Sequence, residues 1–190
     1  MTSMATPAHQ KQTLAAKATL GVVLASETAL FGTLVMSYLL LRTGQAGWPY
    51  MHPSISRLAL PVLNTSVLLL SAAMSWQSDR AIQSGKAGQL KAGLALACLL
   101  GLLFIAGQTF EFTRSGMRPD DPAFGGVFFA LMGFHALHVL AGMVVLGLNL
   151  LRAQLGDFDQ DRHTAVDMGT WFWYYVTAVW LVLFAVLYLI

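Results

Sequence analysis

The sequence predicts an all-α integral membrane protein with five transmembrane helices. Two observations are compositional: 56% of the 190 residues are hydrophobic and only 11% are charged, against about 25% charged in an ordinary soluble domain. The third is the arrangement. Five mostly apolar runs, each near the roughly 20 residues a helix needs to cross a bilayer, are separated by short connections that carry the Gly, Pro and charged residues. A soluble core of this size would leave much of that apolar surface in water, so the expected solvent is lipid. The net charge of +2 is small and dispersed. No Gly-rich phosphate loop or basic, aromatic-interleaved patch occurs, so no nucleic-acid partner is expected. Cys98 is the single cysteine and lies in an apolar run, where it reads as a small packing residue.

Residues 1–17 are polar for too long to be a signal peptide and read as a short soluble tail. Residues 18–190 read as one membrane domain. The first span is Ala18–Leu41. Glu27 lies in it about 14 Å deep at 1.5 Å per residue, near the middle of a core about 30 Å thick. Burial there disfavours the anion. Glu27 therefore reads either as a proton-exchanging or lipid-facing acid or as a neutral structural acid that donates to a neighbouring helix.

The second span, Leu58–Trp76, carries Asn64, Thr65, Ser66 and Ser71, side chains that cross-link membrane helices at roughly 0.6 kcal/mol each. The third, Leu90–Phe112, places Gln108 and Glu111 three residues apart on one face. Glu111 falls near its outer end and reads as an interfacial acid. The fourth, Phe124–Leu151, has no charged residue but holds His135 and His138. Their spacing also puts them on one face, with His135 about 17 Å from Phe124 by the same rise. The fifth, Gly169–Ile190, packs Trp171, Trp173, Tyr174, Tyr175 and Trp180 close together. Aromatic side chains favour the membrane interface. Trp180 lies deeper than such a belt and is expected inside the bundle or against a partner.

No metal or haem site is expected. A bis-histidine haem needs imidazoles from opposite sides, and two histidines one turn apart on one helix do not supply them. A di-metal bundle site needs several carboxylates and two Glu-x-x-His pairs, whereas the spans hold one His-x-x-His, no such pair, and only Glu27 and Glu111 to add oxygen ligands. Gly133, Ala136, Ala141, Gly142 and Gly147 make the fourth span small-sided, which fits close helix packing with imidazole hydrogen bonds.

Lys and Arg set the orientation. Lys11, Lys17, Arg80, Lys86, Lys91, Arg152 and Arg162 fall on one side, and Arg42, Arg57, Arg114 and Arg118 on the other. Seven against four puts the N-terminus inside and the C-terminus outside.

Taken together and in order, these motifs resemble subunit III of the haem–copper terminal oxidases. Ser26-Glu27 followed by Phe31 and Tyr38 resembles the family's first motif, and Leu60-Pro61-Val62-Leu63-Asn64-Thr65 with Leu68-Leu69-Leu70-Ser71 its second. Gln108 and Glu111 resemble its Gln-x-x-Glu, and Gly133-Phe134-His135-Ala136-Leu137-His138-Val139 with Gly142 its Gly-x-His-x-x-His-Val signature. One departure stands out. The family's Trp-His-Phe-Val-Asp-Val-Val-Trp pattern here reads Trp173 to Trp180, with Tyr174 and Thr177 at the usual His and Asp positions.

The resemblance implies a non-catalytic subunit of an oxygen-reducing complex in a bacterial inner membrane. It implies no cofactor on this chain, haem and copper in the partner subunits, and packing on subunit I beside subunit II. Membership of a larger respiratory assembly is compatible with it. It also implies helices splayed around a phospholipid-filled cleft, with support of proton uptake, oxygen access and stable turnover. On this reading Ser26, Asn64, Gln108, Glu111, His135 and His138 pack helices or line the cleft, and Trp171, Trp173 and Trp180 face a partner or lipid. Two alternatives remain at this stage. An accessory subunit of a nitric oxide reductase would share the five spans. A small proton-coupled transporter built on Glu27 and the histidines would favour paired central Gly/Pro breaks, which the spans lack.

Overall fold

The computed structural model describes residues 7–44, 55–115, 125–160 and 162–190. Among them every regular element is helical. In chain order these are α1 (Pro7–Gly44), α2 (Ile55–Gln83), α3 (Ala87–Ser115), α4 (Gly125–Leu155) and α5 (Thr164–Phe184), which runs into a π-helical turn at Ala185–Leu189. Each of the five contains a segment long and apolar enough to cross a membrane.

The helices outrun the expected spans at most ends. Lipid thickness sets the apolar run, but nothing in the flanking sequence breaks the helix there. Residues 7–17, read as soluble tail, already form the first turns of α1. Pro7 heads it, where a missing N–H costs nothing because the first turn has no acceptor for it. At 38 residues, α1 is about 57 Å long, well beyond the hydrocarbon core. Residues 1–6, Phe124 and Arg118 lie outside the described residues.

Two of the connections are tight. After α2, Gly85 takes φ +71°, and Lys86 N–H reaches back to the Ala81 carbonyl at 2.8 Å. After α4, Gly156 takes φ +81°, and Asp157 N–H bonds the Arg152 carbonyl at 3.1 Å. Both are left-handed glycine caps that satisfy the last carbonyls of a helix.

Helices α2, α3, α4 and α5 form a closed ring, each packed on the next and α5 back on α2. The most extensive seam joins α2 to α3. It is lined by small residues, and a Cβ at Gly93 would collide with Ser78 Oγ. Lipid gives helices no hydrophobic reason to associate, so close backbone approach and interhelical hydrogen bonds carry the packing. The centre holds Leu68, Leu94, Phe104, Phe128, Leu131, Leu146, Trp173 and Trp180, all buried.

Helix α1 stands apart. It packs on α4 and α5, and only 6% of its apolar segment is buried, against 33–44% in the other four. Polar ties hold it along its length. Lys17 Nζ pairs with Asp167 of α5 at 3.0 Å, Glu27 bonds His138 of α4, and Arg42 donates to the Ile190 carbonyl.

Candidate functional site

The polar side chains of the spans meet inside the ring. On α2, Asn64, Ser71, Ser75 and Ser78 follow one another at seven, four and three residues and share one face, with Thr65 beside it. Thr170, Trp173 and Trp180 of α5 answer three of them. Ser75 and Thr170 share a hydrogen bond of 3.0 Å between their hydroxyls. Trp173 Nε1 donates to Ser71 Oγ at 3.1 Å, and Ser71 donates onward to the Ala97 carbonyl of α3 at 2.8 Å. Trp180 Nε1 donates to Thr65 Oγ1 at 2.9 Å. Indole N–H groups only donate. The two tryptophans therefore pin α5 to α2.

Asn64 bridges α2 to α3. Its Nδ2 donates to the Phe104 carbonyl at 3.1 Å and to Gln108 Oε1 at 3.2 Å. One turn further on, Glu111 Oε1 accepts from the Tyr188 hydroxyl at 2.7 Å. Tyr188 lies on the π-helical turn. Gln108 Nε2 and Glu111 Oε2 are buried without a partner. Ser26 does not reach another helix. It is exposed and bonds the Val23 carbonyl of its own helix at 2.7 Å.

The two histidines part company. His138 Nε2 lies 3.0 Å from Glu27 Oε2, and its Nδ1 lies 2.7 Å from the Phe134 carbonyl. Because Nδ1–H then donates to that carbonyl, Nε2 accepts from a protonated Glu27; otherwise an imidazolium donates to both. Either way the pair joins α4 to α1. His135 is buried in an aromatic cage. Trp180 stacks on it with centroids 5.2 Å apart, and Phe31 and Phe104 present their edges. Neither ring nitrogen has a partner. The expected cross-link is thus made by His138 alone. Three residues of helix turn the side chain by about 300°, which aims His135 at the bundle centre and His138 at the α1 seam.

The tryptophans divide likewise. Trp171 is 57% exposed and faces outward. Trp173 and Trp180, expected with it on a partner or lipid face, are both fully buried, which for Trp180 is the inside-the-bundle alternative. They are seven residues apart, two helical turns, and share the inward face, whereas Trp171 lies about 200° around from Trp173. Tyr174, at the position of the family's His, has a buried hydroxyl with no partner. Thr177, at the position of the family's Asp, bonds the Trp173 carbonyl of its own helix at 2.9 Å. Neither supplies an interhelical tie.

Among the described residues, no group of three or more His, Cys, Asp or Glu side chains is placed to hold a metal ion. The interior is arranged to be filled and cross-linked.

Residues 7–190 match the family described as cytochrome c oxidase subunit III. The chain belongs to that family. Related proteins named cytochrome c oxidase subunit 3 include one from Thermostichus vulcanus, 31% identical over 170 residues, which cover 89% of this chain and 84% of that one. A Synechocystis protein of the same name is 31% identical over 173 residues, 90% of this chain and 74% of its own. The Danio rerio protein is 37% identical over 129 residues, 68% of this chain but only 49% of its own. The chain therefore spans most of the cyanobacterial relatives and about half the length of the animal one. A multi-span helical subunit III with such relatives fits a bacterial membrane.

One cluster escaped the sequence reading. Asp79, Asp167, Lys17 and His163 converge where α1 begins, α2 ends and α5 begins. Each sits at or beyond the edge of an apolar run, where charge is ordinary. Only the pairing of the helix ends brings them together.

Proposed function

We propose that this chain is the non-catalytic subunit III of an aerobic haem–copper terminal oxidase in a bacterial inner membrane, with its N-terminus inside. It packs on subunit I beside subunit II, and those partners hold the haem and copper. The observation that carries this is the family match together with the state of the family's motif residues. Asn64 bonds Gln108 and the Phe104 backbone, Glu111 bonds Tyr188, and His138 bonds Glu27, so they position helices. Large apolar side chains are exposed on all five helices, among them Val22, Leu63, Leu99, Leu137 and Leu181. Such a body acts by covering and positioning its partner, supporting proton uptake, oxygen access and stable turnover. Phospholipid fills the flanks of the sparsely buried α1, and Trp171 contributes to a lipid or partner face.

Purification in mild detergent, with an optical spectrum and identification of co-purifying chains, tests the proposal. A haem–copper spectrum with subunits I and II is the expected outcome. Co-purification with a haem and non-haem-iron enzyme would replace it with the nitric oxide reductase reading. Isolation without any redox partner would favour the transporter reading.

A further inference from the structure

His135 lies inside the bundle, 2% exposed, with both imidazole nitrogens buried and without a partner. A neutral imidazole carries one donor and one acceptor, and leaving both bare in an apolar interior costs more than an apolar ring of the same shape would. The surrounding rings do not satisfy them. Trp180 stacks on the imidazole, with centroids 5.2 Å apart and planes at 28°, so it covers the face and leaves open the edge, where the nitrogens lie. Phe31 and Phe104 stand with centroids 6.5 and 6.2 Å away, beyond the reach of an N–H···π contact. A second unsatisfied group lies on α3. Gln108 is 7% exposed; its Oε1 accepts from Asn64, and its Nε2 is buried without an acceptor. The register of α3 on α4 brings the two together. Phe104 packs on His135 and, later on α3, Phe112 packs on Phe128, earlier on α4, at 5.8 Å, so the two helices run antiparallel. Gln108 lies midway between those contacts, about 6 Å along the axis from the level of His135. Two hydrogen bonds end to end span about 5–6 Å.

We propose that His135 and Gln108 hold an internal water molecule between α3 and α4. The water accepts from Gln108 Nε2 and bonds the nearer nitrogen of His135, as donor or acceptor according to which nitrogen carries the proton. Two polar partners are enough to hold a buried water, and one water spans the step of a helical turn that a direct hydrogen bond does not. Both groups are fixed from outside the site. Asn64 Nδ2 holds Gln108 Oε1 and the Phe104 carbonyl together, which turns Gln108 Nε2 away from α2. Trp180 Nε1 is bonded to Thr65, so the indole holds the imidazole by stacking and takes no hydrogen bond from it. The consequence is a polar bridge across the α3–α4 seam in an apolar interior, carried by water. It depends on the packing of this chain and not on the oxidase assignment.

The test is solid-state NMR of the full chain in lipid bilayers, with isotope-labelled histidine and leucine and magnetisation transferred from water protons. His135 is assigned through its own backbone. Leu146, 0% exposed on the same helix, supplies the dry reference through its backbone N–H. The His135 ring should receive water magnetisation several-fold faster than Leu146. Transfer as slow as at Leu146 would overturn the proposal, and this arm needs no variant to fold. Gln108→Leu should slow the transfer at His135 to the Leu146 level, because the water loses its second partner. Undiminished transfer in that variant would overturn the proposal too, since the water would then be held without α3.

Discussion

Replacing Gly142 by alanine should loosen the bundle, although alanine is the better helix former. A Cβ at position 142 would lie 2.7 Å from Trp173 Cε3 and 2.8 Å from Cζ3, well inside the roughly 3.5–4.0 Å of a favourable carbon contact. The indole has nowhere to withdraw. Its Nε1 is bonded to Ser71, and its far edge lies against α3, where a Cβ built on Gly101 would be 3.2 Å from Cη2. Overpacking of a rigid core costs about 1–3 kcal/mol, and the helix gain of alanine over glycine returns about 0.8–1 kcal/mol at most. The net expectation is a loss of roughly 0–2 kcal/mol. Gly147→Ala on the same helix is the control, because its Cβ would meet nothing within 4 Å, and it should be neutral or slightly stabilising. Unfolding in mixed micelles followed by circular dichroism compares the two. Adding Trp173→Phe should relieve the clash, so the double variant should be more stable than the sum of its parts. Equal midpoints for Gly142→Ala and Gly147→Ala, or strict additivity with Trp173→Phe, would refute the reasoning.

Other predictions follow from the same contacts. Asn64→Ala removes two hydrogen bonds between α2 and α3 and should cost about 1 kcal/mol, on the order of measured interhelical bonds; an unchanged unfolding midpoint would count against it. Glu27→Gln should still assemble, because Gln keeps a bond to His138. Glu27→Leu and His138→Leu should each loosen α1, and their double variant should show a coupling of about 0.6–1.7 kcal/mol. Additive effects would mean that the pair is not a tie. The purified chain should carry no stoichiometric haem, copper or iron by elemental analysis, since no ligand set among its described residues is placed to hold one.

The five spans were legible because lipid as solvent writes itself into the sequence as long apolar runs. Helix ends were not, because a helix continues past the lipid wherever nothing breaks it, as α1 does from Pro7. Polar residues could be singled out by type, yet their partners depend on which helices pair. That is why only the fold gives His138 its partner Glu27 and leaves His135 without a polar one. Trp171 and Trp173 are two residues apart in the sequence yet lie on opposite sides of the helix. Their positions around α5 separate the outward-facing ring from the two that anchor the core. The Lys17–Asp167 ion pair was illegible for the same reason as the closing of α5 on α2, a long-range pairing that no local pattern announces.

The central claim is that this chain stabilises a redox enzyme without taking part in its chemistry. Removing the chain from the assembled oxidase and following oxygen consumption over time tests it most directly. The account predicts an initial rate close to that of the complete enzyme, an unchanged haem spectrum, and faster loss of activity during sustained turnover. Immediate loss of the haem signal on removal would mean that the chain holds a cofactor, and would contradict the account.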